Sequence, residues 1–200
     1  MSDEFANVTI AGAKAATIKG PTILLFSGTY FNFERPEETP VTIEDVARGL
    51  SHICRFAGQC PRFYSVAEHS IHVSQIVSSE LAWEGLMHDA AEAFIGDVAK
   101  PLKVLLGDYG VIERRVELAI AQQFGLADRL PPDVKRADVR MLRLEQQSLM
   151  RNGDNWEWTK GFEPPEGITL SCLAPDDAMA AFLQRALELR PASTPPQIDR

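Results

Sequence analysis

Cysteine is scarce in this 200-residue chain: Cys54, Cys60 and Cys172 are odd in number and show no C-x-x-C spacing. A disulfide framework and a thiolate zinc site are thereby excluded as organising principles, and the three read as reduced thiols, small hydrophobes rather than nucleophiles. Positive charge is also short, with 20 Lys+Arg against 28 Asp+Glu for a net charge of −8. This argues against a nucleic-acid polymer or an anionic membrane as partner, because both select basic patches. Apolar runs such as Ile23 to Phe26 fall far short of the ~20 residues of a membrane helix. The acidic start Met1-Ser2-Asp3-Glu4 lacks the basic region of a secretory signal, so a cytoplasmic protein is expected. No repeat of fixed period is present.

With 45% hydrophobic residues, the chain can bury the core of one globular domain, expected over residues 1–190. Residues 191–200, rich in proline and small polar side chains, are expected to be a flexible tail. Within residues 1–40, Val8-Thr9-Ile10 and Thr22-Ile23-Leu24-Leu25-Phe26 suggest a small strand pair. From Thr42 the period becomes helical. Thr42 caps a helix with Ile43, Val46, Ala47, Leu50 and Ile53 on one stripe, and Ser65-Val-Ala-Glu68 is a capping box opening a helix to about Ser79. Further helices are expected over Leu81 to Ile95, in a turn at Pro101 to Leu106, from Asp108 to Phe124 before Gly125, from Pro131-Pro132 to Arg151, and from Asp176 to Leu189.

The informative residues are His69, His88, Asp89, Glu92, Asp97 and Asp138. On a helix, His88, Asp89 and Glu92 share one face at spacings of three and four, amid apolar Leu86, Met87, Ala90, Ala91, Phe94 and Ile95. Burying unpaired charges there would cost several kcal/mol, and a divalent cation is the economical counter-charge. The alternative is a polar spot at a helix edge. His69 and Asp138 supply another imidazole and another carboxylate from two further helices.

Tyr64-Ser-Val-Ala-Glu-His69-Ser, then His88-Asp89-Ala-Ala-Glu92-Ala-Phe-Ile-Gly-Asp97-Val-Ala-Lys-Pro-Leu-Lys103, then Val134-Lys135-Arg-Ala-Asp138 resemble the HD-domain metal-dependent phosphohydrolases. The likeness is to the 5'-deoxynucleotidase branch and its compact phage relatives, the dATP triphosphohydrolases, over about Glu44 to Leu149. The resemblance implies a mainly α HD-domain helical bundle, here with a small N-terminal β element packed on its outside. It implies His69, His88, Asp89 and Asp138 as ligands of one divalent metal ion. It further implies Glu92 and Asp97 as the catalytic groups that orient or deprotonate water, and Arg55, Lys103 and Lys135 as phosphate contacts. Phe56 stands where those relatives carry Trp, and Arg55-Phe56-Ala57-Gly58 is assigned to sugar and base choice. Two imidazoles and two carboxylates suit Mn, Co, Zn, Fe or Mg.

A nucleotide is the expected substrate and a homo-oligomer the expected assembly. Within hydrolysis, a 5'-nucleotidase-like removal of phosphate stands beside a triphosphohydrolase that releases triphosphate. A non-catalytic nucleotide sensor is the reading from another class. His72 is expected to be a packing or surface histidine, His52 a partner for a helix C-terminus, and Trp156 and Trp158 to close a core or an oligomer interface rather than stack a base.

Overall fold

The computed structural model describes residues 20–152 and 156–190; residues 8–10 and 191–200, expected as a strand and a tail, lie outside them. Strands β1 (Thr22–Leu24) and β2 (Tyr30–Asn32) form an antiparallel hairpin with Ile23 opposite Phe31. Among the described residues, β1 pairs with the segment that follows it. The strand stops at Leu24 because Leu25 is already in the turn, its N–H donating to Thr29 O while its own carbonyl accepts from Gly28 N. Gly28 takes the positive φ of 85° that this turn requires.

The remainder is mainly helical: α1 (Ile43–His52), α2 (Val66–Ile76), α3 (Ala82–Met87), α4 (Glu92–Ile95), α5 (Lys100–Lys103), α6 (Tyr109–Phe124), α7 (Pro132–Leu149) and α8 (Pro175–Leu189). No helix among the described residues is long and apolar enough to cross a membrane. The Thr42 cap forms as expected and is reciprocal, Asp45 N donating to Thr42 Oγ1 at 3.1 Å and Thr42 N to Asp45 Oδ2 at 3.0 Å. It turns Val46, Ala47 and Leu50 inward. Gly125, at φ 66°, ends α6, and Pro131-Pro132 start α7.

Two local expectations are corrected. Ser65 accepts from Glu68 N at 3.1 Å, but the return arm of the capping box is absent. The Glu68 carboxylate instead accepts from the backbone N–H groups of Ser171, Cys172 and Leu173 at 2.7, 2.9 and 2.7 Å. Three donors in an irregular segment outcompete one amide at the helix start. Burial alone would raise the pKa of Glu68, but His72 and these amides hold it below the ordinary glutamate value.

The second correction concerns the helix expected over Leu81 to Ile95, which is broken at the residues that matter most. Between α3 and α4 the hydrogen bonds skip back three residues, Ala90 N to Met87 O at 3.0 Å and Glu92 N to Asp89 O at 2.9 Å. In this tighter winding, residues three apart eclipse, so Asp89 and Glu92 are the aligned pair, not His88 and Glu92.

Helix α2 is the axis of the fold. Eight of its eleven residues are buried, because α1, α3, α7 and α8 all pack on it, which leaves little room for a solvent face. The hairpin is tied into the core, since Phe31 is fully buried and stacks on Phe94 of α4 at 4.5 Å between ring centroids. From α1, Gly49 lies so close to α4 that an added Cβ would meet Ala93 Cβ at 2.6 Å and Ala93 O at 2.7 Å. Helix α4 is thus held by an aromatic stack at Phe94 and a glycine contact at Ala93, next to Glu92.

Gly49→Ala is expected to destabilise the protein by about 1–3 kcal/mol through forced separation of α1 and α4, read as a fall of several degrees in Tm. Glu68→Gln is expected to cost about 2 kcal/mol near neutral pH. Because the folded pKa of Glu68 is depressed, its contribution is present above the unfolded value of about 4.3 and is lost as pH falls through the folded value. Thermal melts of wild type and Glu68→Gln should therefore converge in acid; a gap that widens instead would contradict the role given to this carboxylate.

Candidate metal centre

The segment before α2 folds back on the end of α1. Arg55 N donates to Tyr64 O at 2.9 Å and Val66 N to Ile53 O at 3.1 Å, around an isolated bridge between Cys54 and Ser65. This clip brings Arg55 and Tyr64 beside His69, one turn into α2. Helix α3 lies against α2 and delivers His88 just past its end, while α7 delivers Asp138.

Donor atoms converge where these elements meet. His69 Nε2 lies 3.3 Å from His88 Nε2 and 3.3 Å from Asp138 Oδ1. One donor atom each from His69, His88 and Asp138 fall within 4.8 Å of one another, a group that could hold a metal ion. Atoms each about 2.1 Å from one ion lie about 3.0–3.4 Å apart in octahedral or tetrahedral arrangements, so the observed spacing fits. Asp89 Oδ2 approaches the same imidazoles, 3.1 Å from His88 Nε2 and 3.7 Å from His69 Nε2. The four sequence-chosen ligands are therefore brought together.

Electrostatics carries the same message. Burial and Arg55 oppose charge on His69, yet Glu145 and Asp138 outweigh them and raise its pKa to about 9. Asp89 is held at about 2 against the effect of burial, first by His88 and then by His69, and Asp138 also lies well below the usual range through His69 and His88. The carboxylates around His69 thus favour positive charge at this point, which a metal cation could supply.

The residue that sequence reasoning missed is Glu145. Fully buried on α7, it accepts from His69 Nδ1 at 2.6 Å, from Tyr64 OH at 2.9 Å, and from Arg55 Nε and Nη2 at 3.2 and 3.0 Å. A carboxylate can only accept, so Nδ1 of His69 carries the proton and Nε2 faces His88 and Asp138. Arg55 and His69 hold the Glu145 pKa at about 2 despite burial. A signal was available: Glu145 follows Asp138 by seven residues, two helical turns, on the face that also buries Met141.

Glu92 and Asp97 line an adjoining cavity of about 720 Å³, as do Arg55, Phe56, Lys103 and Lys135. Glu92 Oε2 is buried with no hydrogen-bond partner. Burial first, then Asp89 and Asp97, pushes its pKa well above the usual glutamate value; burial also raises Asp97. Arg55 is more committed than sequence implied, with two nitrogens on Glu145 and Nη1 3.8 Å from Asp89 Oδ2. Lys103 pairs with Glu113 at 2.5 Å and Lys135 with Asp138 at 2.7 Å.

His72 faces Glu68 at 3.7 Å and Gln75 at 3.1 Å, away from the metal group. His52 Nδ1 lies 3.0 Å from Arg48 O at the end of α1. Cys54 and Cys60 are free thiols 3.7 Å apart, and burial followed by Cys54 pushes Cys60 up to about 11, away from nucleophilic character. Trp156 and Trp158, expected in a core or an interface, line the same cavity.

No protein-family model matches the chain. It is 39% identical over 168 residues to the uncharacterized protein YfdR of Escherichia coli (strain K12), covering 84% of this chain and 94% of that protein. It is 31% identical over 180 residues to the uncharacterized protein RCAP_rcc00048 of Rhodobacter capsulatus, covering 80% of this chain and 91% of that protein.

Glu145→Gln is expected to weaken Mn²⁺ or Zn²⁺ affinity by about 10- to 100-fold, the usual effect of removing the partner that orients a ligating imidazole. It should also destabilise the metal-free protein by about 3–5 kcal/mol, because Arg55 and His69 lose their buried counter-ion. Chelator competition and thermal unfolding measure the two effects separately. Unchanged metal affinity in a folded variant would remove Glu145 from the site.

Proposed function

The chain belongs to one family with the uncharacterized protein YfdR of Escherichia coli, and from the site's geometry we propose that it is a metal-dependent phosphohydrolase of the HD type acting on deoxynucleotides. The observation that carries this reading is the pairing of a donor group, His69, His88 and Asp138, with a buried carboxylate oxygen of Glu92 that has no hydrogen-bond partner. In this reading Asp89 is the fourth ligand, and one divalent ion (Mn, Co, Zn, Fe or Mg) is the cofactor.

When bound, the ion supplies Lewis acidity toward a phosphoryl oxygen and makes hydroxide available near neutral pH. Glu92, with its raised affinity for protons, takes the proton of the attacking water at Oε2 and returns it to the leaving group. Asp97 orients that water from the start of the next loop. Lys103 and Lys135 offset phosphate charge from the cavity wall, and Arg55 contributes the Nη1 side of its guanidinium while Glu145 holds the other. Phe56 packs against the sugar, where a 2'-hydroxyl would be buried without a partner, so deoxynucleotides are preferred. The substrate is a free nucleotide, and the active form is a homo-oligomer.

The test is to incubate metal-loaded protein with nucleoside mono-, di- and triphosphates and chromatograph the products. Orthophosphate from a deoxynucleoside monophosphate is the expected result. Intact triphosphate would instead mark a triphosphohydrolase, and binding without turnover a sensor. Asp138→Asn is expected to lose both metal and activity, whereas Glu92→Gln should retain metal and lose about 10²- to 10⁴-fold in kcat. Equal metal loss in both variants, by elemental analysis, would mean that Glu92 is a ligand and not the proton acceptor.

A further inference from the structure

We propose that Trp156 and Trp158 form an aromatic subsite that stacks the planar heteroaromatic base of the substrate, continuing the wall that Phe56 begins beside the sugar. The proposal deepens the phosphohydrolase reading and rests on it for the rest of the ligand. All three rings line the cavity that also holds His88, Asp138 and Glu92. They form a continuous wall: Phe56 and Trp156 have ring centroids 6.0 Å apart at 56°, and Trp156 and Trp158 6.0 Å apart at 45°. One cavity thus offers both charged side chains and an aromatic wall, the two kinds of surface that a nucleotide presents.

The wall is held in place without being covered. Thr159, 1% exposed, donates its hydroxyl to Trp156 O at 3.0 Å and reaches Gln146 Oε1 of α7 at 3.5 Å, so the tryptophan turn is anchored on the helix that carries Asp138. Trp158 nevertheless remains 49% exposed. A large indole on a fixed backbone, half in water, is poorly explained by folding alone. Phe56 adds an independent observation. It and Ala57 adopt φ of 57° and 52°, a left-handed pair that non-glycine residues rarely take and that tends to persist at ligand clamps. The Arg55 guanidinium carbon lies 5.6 Å from the centroid of the Phe56 ring, so the residue facing the metal group also braces the wall.

Stacking on an aromatic side chain strengthens binding roughly 5- to 100-fold and accepts any base, since every base has a π face. The expected specificity is therefore for the presence of a base and not its identity. The full chain is titrated with deoxyadenosine, which has base and sugar but no phosphate to hydrolyse, and tryptophan fluorescence is followed. Trp156 and Trp158 report from the cavity, whereas Trp83 is buried with its Nε1 donating to Phe124 O. Saturable quenching is expected, with the midpoint raised about tenfold in Trp158→Ala, and none with 2-deoxyribose 5-phosphate. In turnover, the ratio of kcat/KM for deoxyadenosine monophosphate over 2-deoxyribose 5-phosphate should fall about tenfold in the same variant. Saturable quenching without hydrolysis of any nucleotide would overturn the phosphohydrolase reading and leave the subsite standing. Hydrolysis without saturable quenching, or an unchanged midpoint and ratio in a folded Trp158→Ala protein, would overturn the subsite.

Discussion

A carboxylate with no exposed surface must find its counter-charge and its hydrogen-bond donors inside the protein, and for Glu145 these come from three separate places in the chain. Arg55 arrives from the loop after α1, Tyr64 from the approach to α2, and His69 from α2 itself. Taking such a group out of water costs several kcal/mol before any partner is counted. The arrangement persists only if α7, α2 and the Cys54–Ser65 clip are all in register. The same four contacts fix the ring of His69 and hence the direction of its Nε2. Fold and candidate site are therefore one construction, and a change in the spacing between α2 and α7 would disturb both.

Around that anchor the protein gathers more carboxylates than basic side chains. Asp89, Asp138, Glu92 and Asp97 share a small volume with Arg55 and Lys135, while Lys103 is already paired with Glu113. The carboxylates respond in opposite directions: Asp89 and Asp138, beside the imidazoles, stay ionised, while Glu92 and Asp97, further along the cavity, are pushed toward the protonated form. In the proposed reading, neighbouring acids driven apart in this way divide the work, ligation for one pair and proton transfer for the other. The tight winding between α3 and α4 sets Asp89 and Glu92 in line, and the contacts of Gly49 and Phe31 with α4 keep Glu92 from relaxing away.

Local information was legible wherever the signal lies within a few residues. The Thr42 cap with its inward stripe, the glycine that ends α6 and the proline start of α7 all stand close to where their patterns place them. Misplaced features depended on distant partners. Glu68 abandons its capping box for amides more than a hundred positions away, and the two tryptophans line a cavity shaped by helices remote from them in the chain.

The amino-acid sequence by itself determined a mainly helical chain and the caps of α1, α6 and α7, and it singled out His69, His88, Asp89 and Asp138. Capping, periodicity and ligand type are properties of a residue and its near neighbours, so they can be read along the chain. Only the tertiary structure decided that Glu145 orients His69 from 76 positions away and holds Arg55 from 90. It alone decided that Glu92 keeps an unpartnered buried oxygen and that Phe56, Trp156 and Trp158 line the same cavity as Glu92 and Lys103. The physical reason is that desolvation and electrostatic pairing depend on what surrounds a group in space, and helix packing selects those neighbours without regard to their separation in sequence.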